Sequence, residues 1–547
     1  MLILGASPVL AQNLPELPRA YVDATLPVIN GNTYTVNAGG NLQAAIDQAA
    51  AANSNLNHLI VVQAGATFDG SFILRSRGAG TGWIMLQSSA IGSLPPAGTR
   101  VNASHASLMP TLRTNTVQEP AVKTEAGAHH YRIIGLRFTM STGASPVQTA
   151  LVRFGSGGES DATIPHHLIF DRSWADIPST VDARNAVYLN AAHAAVIDSR
   201  LSGAQEQGNE SHAIVVWNSP GPLLVENSYL EGASINLLMG GAGPVVSGTG
   251  NPQDVAIRRN FFTKQLRWKK NDPAWDGKSW AVKNAMEFKA GTRVLVENNI
   301  LERSWGDAQE GWLVRFVLGS DVRADIADIT LRNNILRHGG YGLDICGNCS
   351  TAQFVIRRVL IENTLIHGID PAAWSAPGGG WGFMFRSGAQ DITLSHVTID
   401  NPDTLIMLTG AAGARLNVHN TIGNWGDLGV WAESIAREGA AALDRQMPGW
   451  TWRRTAVVGA LSSSQSQYPS PGAETFFAPA LFTNPTQDDY HLAAASPYKG
   501  LATDGKDLGA DIDALNAATS GCITGVWGPP PPAATTPPAK PKGVRLP

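Results

Sequence analysis

The fold class this sequence predicts is all-β: a parallel β-helix solenoid with an N-terminal helical cap and a partly helical C-terminal insertion. Three observations predict it. Charged residues make up only 15% of the 547-residue chain and glycines number 57, a balance that suits many short strands joined by tight turns. A degenerate unit recurs roughly 24 to 39 residues apart, the range in which self-similarity signals a solenoid. The segment before the first unit carries the pattern of a capping helix, which an open stack of strands needs at its end.

Taken in order, Met1–Gln12 reads as the apolar part of a signal peptide, with Val9 and Ala11 in the small-residue positions before a cleavage point, so the chain is expected to be secreted, periplasmic or at the cell surface. In Gly39–Ala51 a capping Asn41 precedes Leu42, Ile46 and Ala49 at helical spacing, and the strand His58–Gln63 follows. The repeat then runs through Leu168-Ile-Phe-Asp-Arg-Ser173, Ala195-Val-Ile-Asp-Ser-Arg200, Leu224-Val-Glu-Asn-Ser-Tyr229, Val255-Ala-Ile-Arg-Arg-Asn260 and Leu295-Val-Glu-Asn-Asn-Ile300. It continues through Ile329-Thr-Leu-Arg-Asn-Asn-Ile335, Val359-Leu-Ile-Glu-Asn-Thr364, Ile392-Thr-Leu-Ser-His-Val397 and Leu416-Asn-Val-His-Asn-Thr421. Coils stacked at about 4.8 Å put like side chains over like. Asn227, Asn298, Asn333, Asn363 and Asn420 are therefore expected to form an interrupted structural ladder at an interior turn, where asparagine tolerates left-handed backbone and hydrogen-bonds the main chain.

Between about 425 and 480 the repeat lapses and Ala432–Arg445 has a helical pattern. The run Gly528–Pro538 is an extended Pro-rich linker, within a 516–547 tail whose end, Pro541–Pro547, has the look of the first strand of a truncated fibronectin type III module. With its helix, its strand and the Gly-rich turn Ala64–Gly70, and with the closing segment Asp489–Asp511, the chain resembles the pectate-lyase-like family over residues 33–515. That resemblance implies the right-handed form of the parallel β-helix.

The formal net charge of -4 gives no global reason to expect nucleic acid or an anionic membrane as partner, and no apolar stretch is long enough to span a bilayer. Cys346 and Cys349 are spaced to close a small loop after export; a zinc site would need a second pair. Core side chains of a solenoid are committed to packing, so chemistry has to come from outward positions. Period-two alternation in Lys283–Arg293 puts Met286 and Phe288 inside and Lys283, Glu287 and Lys289 outside, while the following coils offer Arg315, Asp344 and Arg386. If these strands stack, Glu287, Lys289, Arg315, Asp344 and Arg386 share a stripe. Just before it, Lys264–Trp280 is a loop rich in basic residues and tryptophans, among them Trp268, Lys269, Lys270, Trp275 and Trp280, as suits a polysaccharide with carboxylates.

The stripe resembles that of β-helical alginate and chondroitin lyases, where an outward lysine and an arginine one coil away work beside acids, sometimes with Ca²⁺. The resemblance implies β-elimination on a uronic-acid-containing glycan. Lys289 is then the base, because an arginine scarcely gives up its proton, and Arg315 clamps the carboxylate. Glu287 orients Lys289 or binds Ca²⁺ together with Asp344, and Lys283, Arg386 and the loop residues bind substrate. A β-helical glycoside hydrolase and a non-catalytic glycan-binding protein are the competing readings. His129-His130, His166-His167, Glu206, Glu210 and His212 form a second polar set. Strand alternation sends the two members of each histidine pair to opposite faces, so no single metal site is expected to take both.

Overall fold

The computed structural model describes residues 13–115, 118–141, 147–243, 251–374 and 379–527. The signal-peptide segment, the Pro-rich run and the fibronectin-like end lie outside the described residues. One coil shows the plan: the strands Ala183–Leu189, Ala192–Ile197 and Arg200–Ala204 follow one another. Each pairs in parallel with its counterpart in the next coil, as in Val187↔Ile214, Ala195↔Leu224 and Leu201↔Leu230. First strands assemble a 13-stranded sheet, and second and third strands share a 26-stranded one. The result is the parallel β-helix expected from the repeat. Its inward side chains merge into one apolar core running from Val36 to Tyr468. No helix among the described residues is long and apolar enough to cross a membrane.

The cap forms as the sequence predicts. The helix Leu42–Ala51 starts where the Asn41 side chain accepts from the Ala44 amide, and it buries Leu42, Ala45, Ile46, Ala49 and Ala50 over the first coil. At the other end the helix is shorter than its pattern, Gly439–Gln446. Left-handed backbone at Ala436 and Gly439 (φ 49° and 66°) and antiparallel pairing of Trp431 with Glu438 turn 432–438 into an irregular hairpin instead. Nor does the repeat end there, because Thr451–Arg453 and Thr455–Val458 add a further coil to the larger sheet.

Two columns of left-handed residues shape the solenoid. Asn227, Asn298, Asn333, Asn363 and Asn420 all adopt positive φ, between 41° and 59°. The buried amide ladder, however, belongs to the next residue. Asn260 donates to Asn299 Oδ1 and Asn299 to Asn334 Oδ1, each at 3.0 Å, and the same amides donate to backbone carbonyls of neighbouring coils. The left-handed asparagines look outward, and three of them bind the returning C-terminal chain: Asn420 accepts from the Thr503 amide, Asn363 from the Asp511 amide and Asn227 from Trp527 Nε1.

The second column holds His130, His167 and His193, then Asp254, Arg293, Asp328, Arg358, Asp391 and Arg415, all at positive φ. A left-handed residue breaks the alternation of a strand. His129 and His130 therefore point the same way, their Nδ1 atoms 2.8 Å apart, as do those of His166 and His167. The expectation that each pair splits across the sheet is thus overturned. Farther along, the column becomes a ladder of ion pairs, Arg293–Asp254, Arg358–Asp328 and Arg415–Asp391. Residues 13–31 run down this column in the opposite sense, with Asn13 on Asp391, the Glu16 amide on Asp328 and the Arg19 amide on Asp254.

The described residues continue on both sides of the 33–515 span. Beyond it the helix Ile512–Thr519 and the turn to Trp527 pack on Phe261, Ile300, Ile335 and Leu365; only from 528 does the 516–547 tail leave the described residues.

Candidate active site

Several coils of the 13-stranded sheet turn two consecutive residues inward, Ala213 and Ile214 in one coil, Ala285 and Met286 in another, Leu313 and Val314 in the next, and alternate afterwards. That local bend aligns one outward residue per coil. The column reads Tyr188, Val215, Leu238, Glu287, Arg315, Asp344, Met384, Met407 and Trp431, each in register with the next. In the first coils the same column holds Ile73, Lys123 and Arg153; farther on, the charged triplet Glu287–Arg315–Asp344 lies between the apolar runs Tyr188–Val215–Leu238 and Met384–Met407–Trp431. Lys289 and Arg386 stand one column over, with Val317 and Cys346 between them, Arg386 being the register partner of Cys346. The five charges share a face in two adjacent columns rather than one stripe.

Arg315 bridges the coils. Its Nη1 donates to Glu310 Oε2 at 3.0 Å and Gln309 Oε1 at 3.3 Å, and its Nε lies 3.2 Å from Asp344 Oδ2. Asp344 is 0% exposed and takes both Arg386 Nε and Nη2, at 3.0 and 2.7 Å. Glu287 is likewise buried and accepts from Asn284 Nδ2 at 2.8 Å, while Lys289 Nζ sits 3.5 Å from its other oxygen. The Lys289 side chain keeps 26% of its surface exposed, so the ammonium faces solvent from a buried carboxylate.

A Ca²⁺ held jointly by Glu287 and Asp344 does not fit this arrangement. Arg315 stands between them in the column, and Asp344 has spent its oxygens on two guanidiniums. A cation there would displace two cations from a buried acid.

The structure adds residues that the sequence pattern assigned elsewhere. Lys283 pairs with Glu210, and His212 Nε2 lies 3.6 Å from the same carboxylate while its Nδ1 donates to Asn185 Oδ1 at 2.7 Å. His212 and Lys283 hold the Glu210 carboxyl well below the usual carboxylate range. Burial pulls the His212 imidazole down, opposed by Glu210. Because 3.6 Å exceeds a hydrogen bond, the buried Nε2 has no hydrogen-bond partner among the described residues. Glu210 and His212 thus join the face through Lys283; Glu206 pairs with Arg184 instead. Asn284, Gln309 and Glu310 complete the set, and no motif in the sequence marks them, because each enters through a loop or the residue before a strand.

The basic loop behaves differently from its composition. Trp268 and Trp280 are 0% and 1% exposed, packed with Ala233, Val282 and Trp305, so they anchor the loop and cannot stack on a sugar. Their indole nitrogens are bound by Gln205 Oε1 at 3.1 Å and Asp276 Oδ1 at 3.0 Å. A bridge between Gln207 and Trp280 folds the loop back over the earlier coil. Trp275 is 39% exposed, Lys270 reaches Asp307 at 2.8 Å, and Lys269 Nζ lies 5.9 Å from the Trp374 ring. Cys346 and Cys349 form a disulfide at the end of the Asp344 strand.

No family model matches the chain, and no curated protein does either. Solved structures do. A mannuronic acid specific polysaccharide family 6 lyase from human gut microbiota aligns over 90% of this chain and 99% of its own at 11% identity and a TM-score of 0.46. The catalytic domain of a GH87 α-1,3-glucanase aligns over 80% and 69% at 14% identity and 0.38. The tailspike protein of E. coli bacteriophage HK620, in complex with a pentasaccharide, aligns over 77% and 67% at 17% identity and 0.39.

Proposed function

We propose that the chain is a polysaccharide lyase that cleaves a uronic-acid-containing glycan by β-elimination on the 13-stranded sheet. The observation that carries this reading is the charged triplet Glu287–Arg315–Asp344 stacked in consecutive coils, with the partly exposed Lys289 side chain beside it. Lys289 takes the proton from the carbon next to the uronate carboxylate, the bond from the neighbouring carbon to the glycosidic oxygen breaks as the C=C bond forms, and the departing oxygen takes up a proton from Lys289 or water. Glu287 holds Lys289 in place from below, and Arg315 steadies the negative charge developing on the carboxylate. Lys283, Arg386, the half-buried Lys269 and the exposed Trp275 and Lys270 line the approaches.

Hydrolysis is less well served. It needs two carboxyls, one of which donates a proton, whereas Glu210 lies against Lys283, Glu310 against Arg315, and Asp344 between Arg315 and Arg386. The test is a panel of anionic and neutral polysaccharides assayed for ultraviolet-absorbing unsaturated ends and for reducing ends. Lyase activity on an anionic polymer is expected, reduced about 10²- to 10⁴-fold by Lys289→Ala, the usual weight of a general base. Reducing ends without unsaturation would establish a hydrolase, and binding with neither product a glycan-binding protein.

A further inference from the structure

The geometry points to a second site: we propose that His129, His130 and His166 bind a divalent transition-metal ion of the zinc class, in the 26-stranded sheet and apart from the charged column. Their ligand nitrogens all lie within 4.8 Å of one another. Tetrahedral zinc with nitrogens at about 2.0–2.1 Å sets ligand atoms roughly 3.3 Å apart, so small side-chain rotations close the site. Two coils supply it. His129 and His166 are register partners with rings stacked 4.8 Å apart, and left-handed backbone at His130 swings its ring to the same side.

The imidazoles are in the right chemical form. Burial favours the neutral, ligating form of all three imidazoles, with the Arg77 cation beside His129 and the other rings beside His130 and His166 acting in the same direction. In the metal-free pair one Nδ1 donates to the other. Coordination through both Nδ1 atoms needs only that the donor ring move its proton to its own Nε2, so neutral rings release none. Arg77 is a cation against this group, but its Nη1 is committed to the Gly82 carbonyl at 2.6 Å. His167 stacks on His130 and the exposed His193 on His167, at 4.4 and 4.5 Å, which leads the group out to solvent.

The test is titration of the metal-stripped, tag-free full chain with Zn²⁺ alone by calorimetry, and with Co²⁺ alone by visible absorption. One equivalent of Zn²⁺ is expected to bind with a Kd at or below about 10 µM, a range in which a few histidine ligands suffice, with a tetrahedral Co²⁺ spectrum. His166→Asn is expected to weaken Zn²⁺ at least tenfold, and His193→Asn, at the exposed end, to leave it within threefold. Less than one equivalent bound by the wild-type chain, an unchanged Kd in folded His166→Asn, or Co²⁺ without tetrahedral bands overturns the proposal. The wild-type titrations decide the matter even if the variant does not fold.

Discussion

Lys264 is the residue beneath the candidate site that sequence inspection would least expect inside. In the sequence it opens a loop rich in basic residues, yet its amino group is fully buried, held by the carbonyls of Gly232, Ser234 and Asn284 and by Asn236 Oδ1 at 2.7–3.1 Å. Asn284 in turn donates to Glu287, so this buried lysine supports the site. Removing it leaves several buried acceptors without a donor, each costing about 1–3 kcal/mol. Lys264→Met is expected to lower stability by about 3 kcal/mol or more, read as a reduced urea midpoint. At Lys289 the decisive substitution is arginine, which keeps the charge and loses the usable base. Lys289→Arg is expected to cut kcat at least about 10²-fold while KM stays within a few-fold; equal losses with Lys289→Ala and Lys289→Arg in KM alone would assign Lys289 to binding. Lys283, Glu287, Lys289, Arg315 and Arg386 were legible as outward because period two survives in short strands. Glu210 and His212 were not, because only the stacking of coils brings them to Lys283.

At the scale of the element, the left-handed residue is what the repeat conserves in geometry while its chemistry changes from asparagine to aspartate, arginine or histidine. The buried ladder behind it makes a clear prediction. Asn299→Leu removes an amide that serves the carbonyls of Ile257 and Glu297 and accepts from Asn260, so a loss of about 1–3 kcal/mol in urea unfolding is expected. The histidine column predicts a pH dependence. Burial and neighbouring imidazoles, with Arg77 a further cation against His130, pull His130 down to about 3 and His167 to about 4. A histidine lowered in the folded state binds fewer protons there than in the unfolded chain. Stability is therefore full above the ordinary histidine value near 6.5 and falls as pH drops towards about 4. A series of melting temperatures across that window checks it; a flat profile from pH 7 to pH 4 would contradict it. This column was misread from sequence because strict alternation was applied across a residue whose backbone breaks it.

For the whole molecule, the first and last described stretches both run along the solenoid: residues 13–31 follow the ion-pair column and the stretch to Trp527 follows the outward asparagines. The C-terminal strap also covers Phe261, Ile300, Ile335 and Leu365 with Leu515 and Cys522. A chain ending at 510 is expected to melt lower than the full chain and to bind a hydrophobic dye, whereas one lacking 13–31, which uncovers the smaller cluster Ile169, Ala195, Ile197, Leu224 and Ala256 beneath Tyr21, Val22 and Ala24, is expected to lose less. Equal melting temperatures for the 510-ended and full chains would show that the strap adds nothing. By itself the amino-acid order determined the class of fold, the capping helix, the rhythm of the coils and the outward set of charges, because each follows from local periodicity and turn chemistry that a few neighbouring residues express. The tertiary structure alone decided which charges meet, that Asp344 is spent on two arginines, that Trp268 and Trp280 face inward, and that the histidines converge. Those outcomes depend on register between coils tens of residues apart and on backbone handedness at single positions, and neither leaves a periodic trace in the chain.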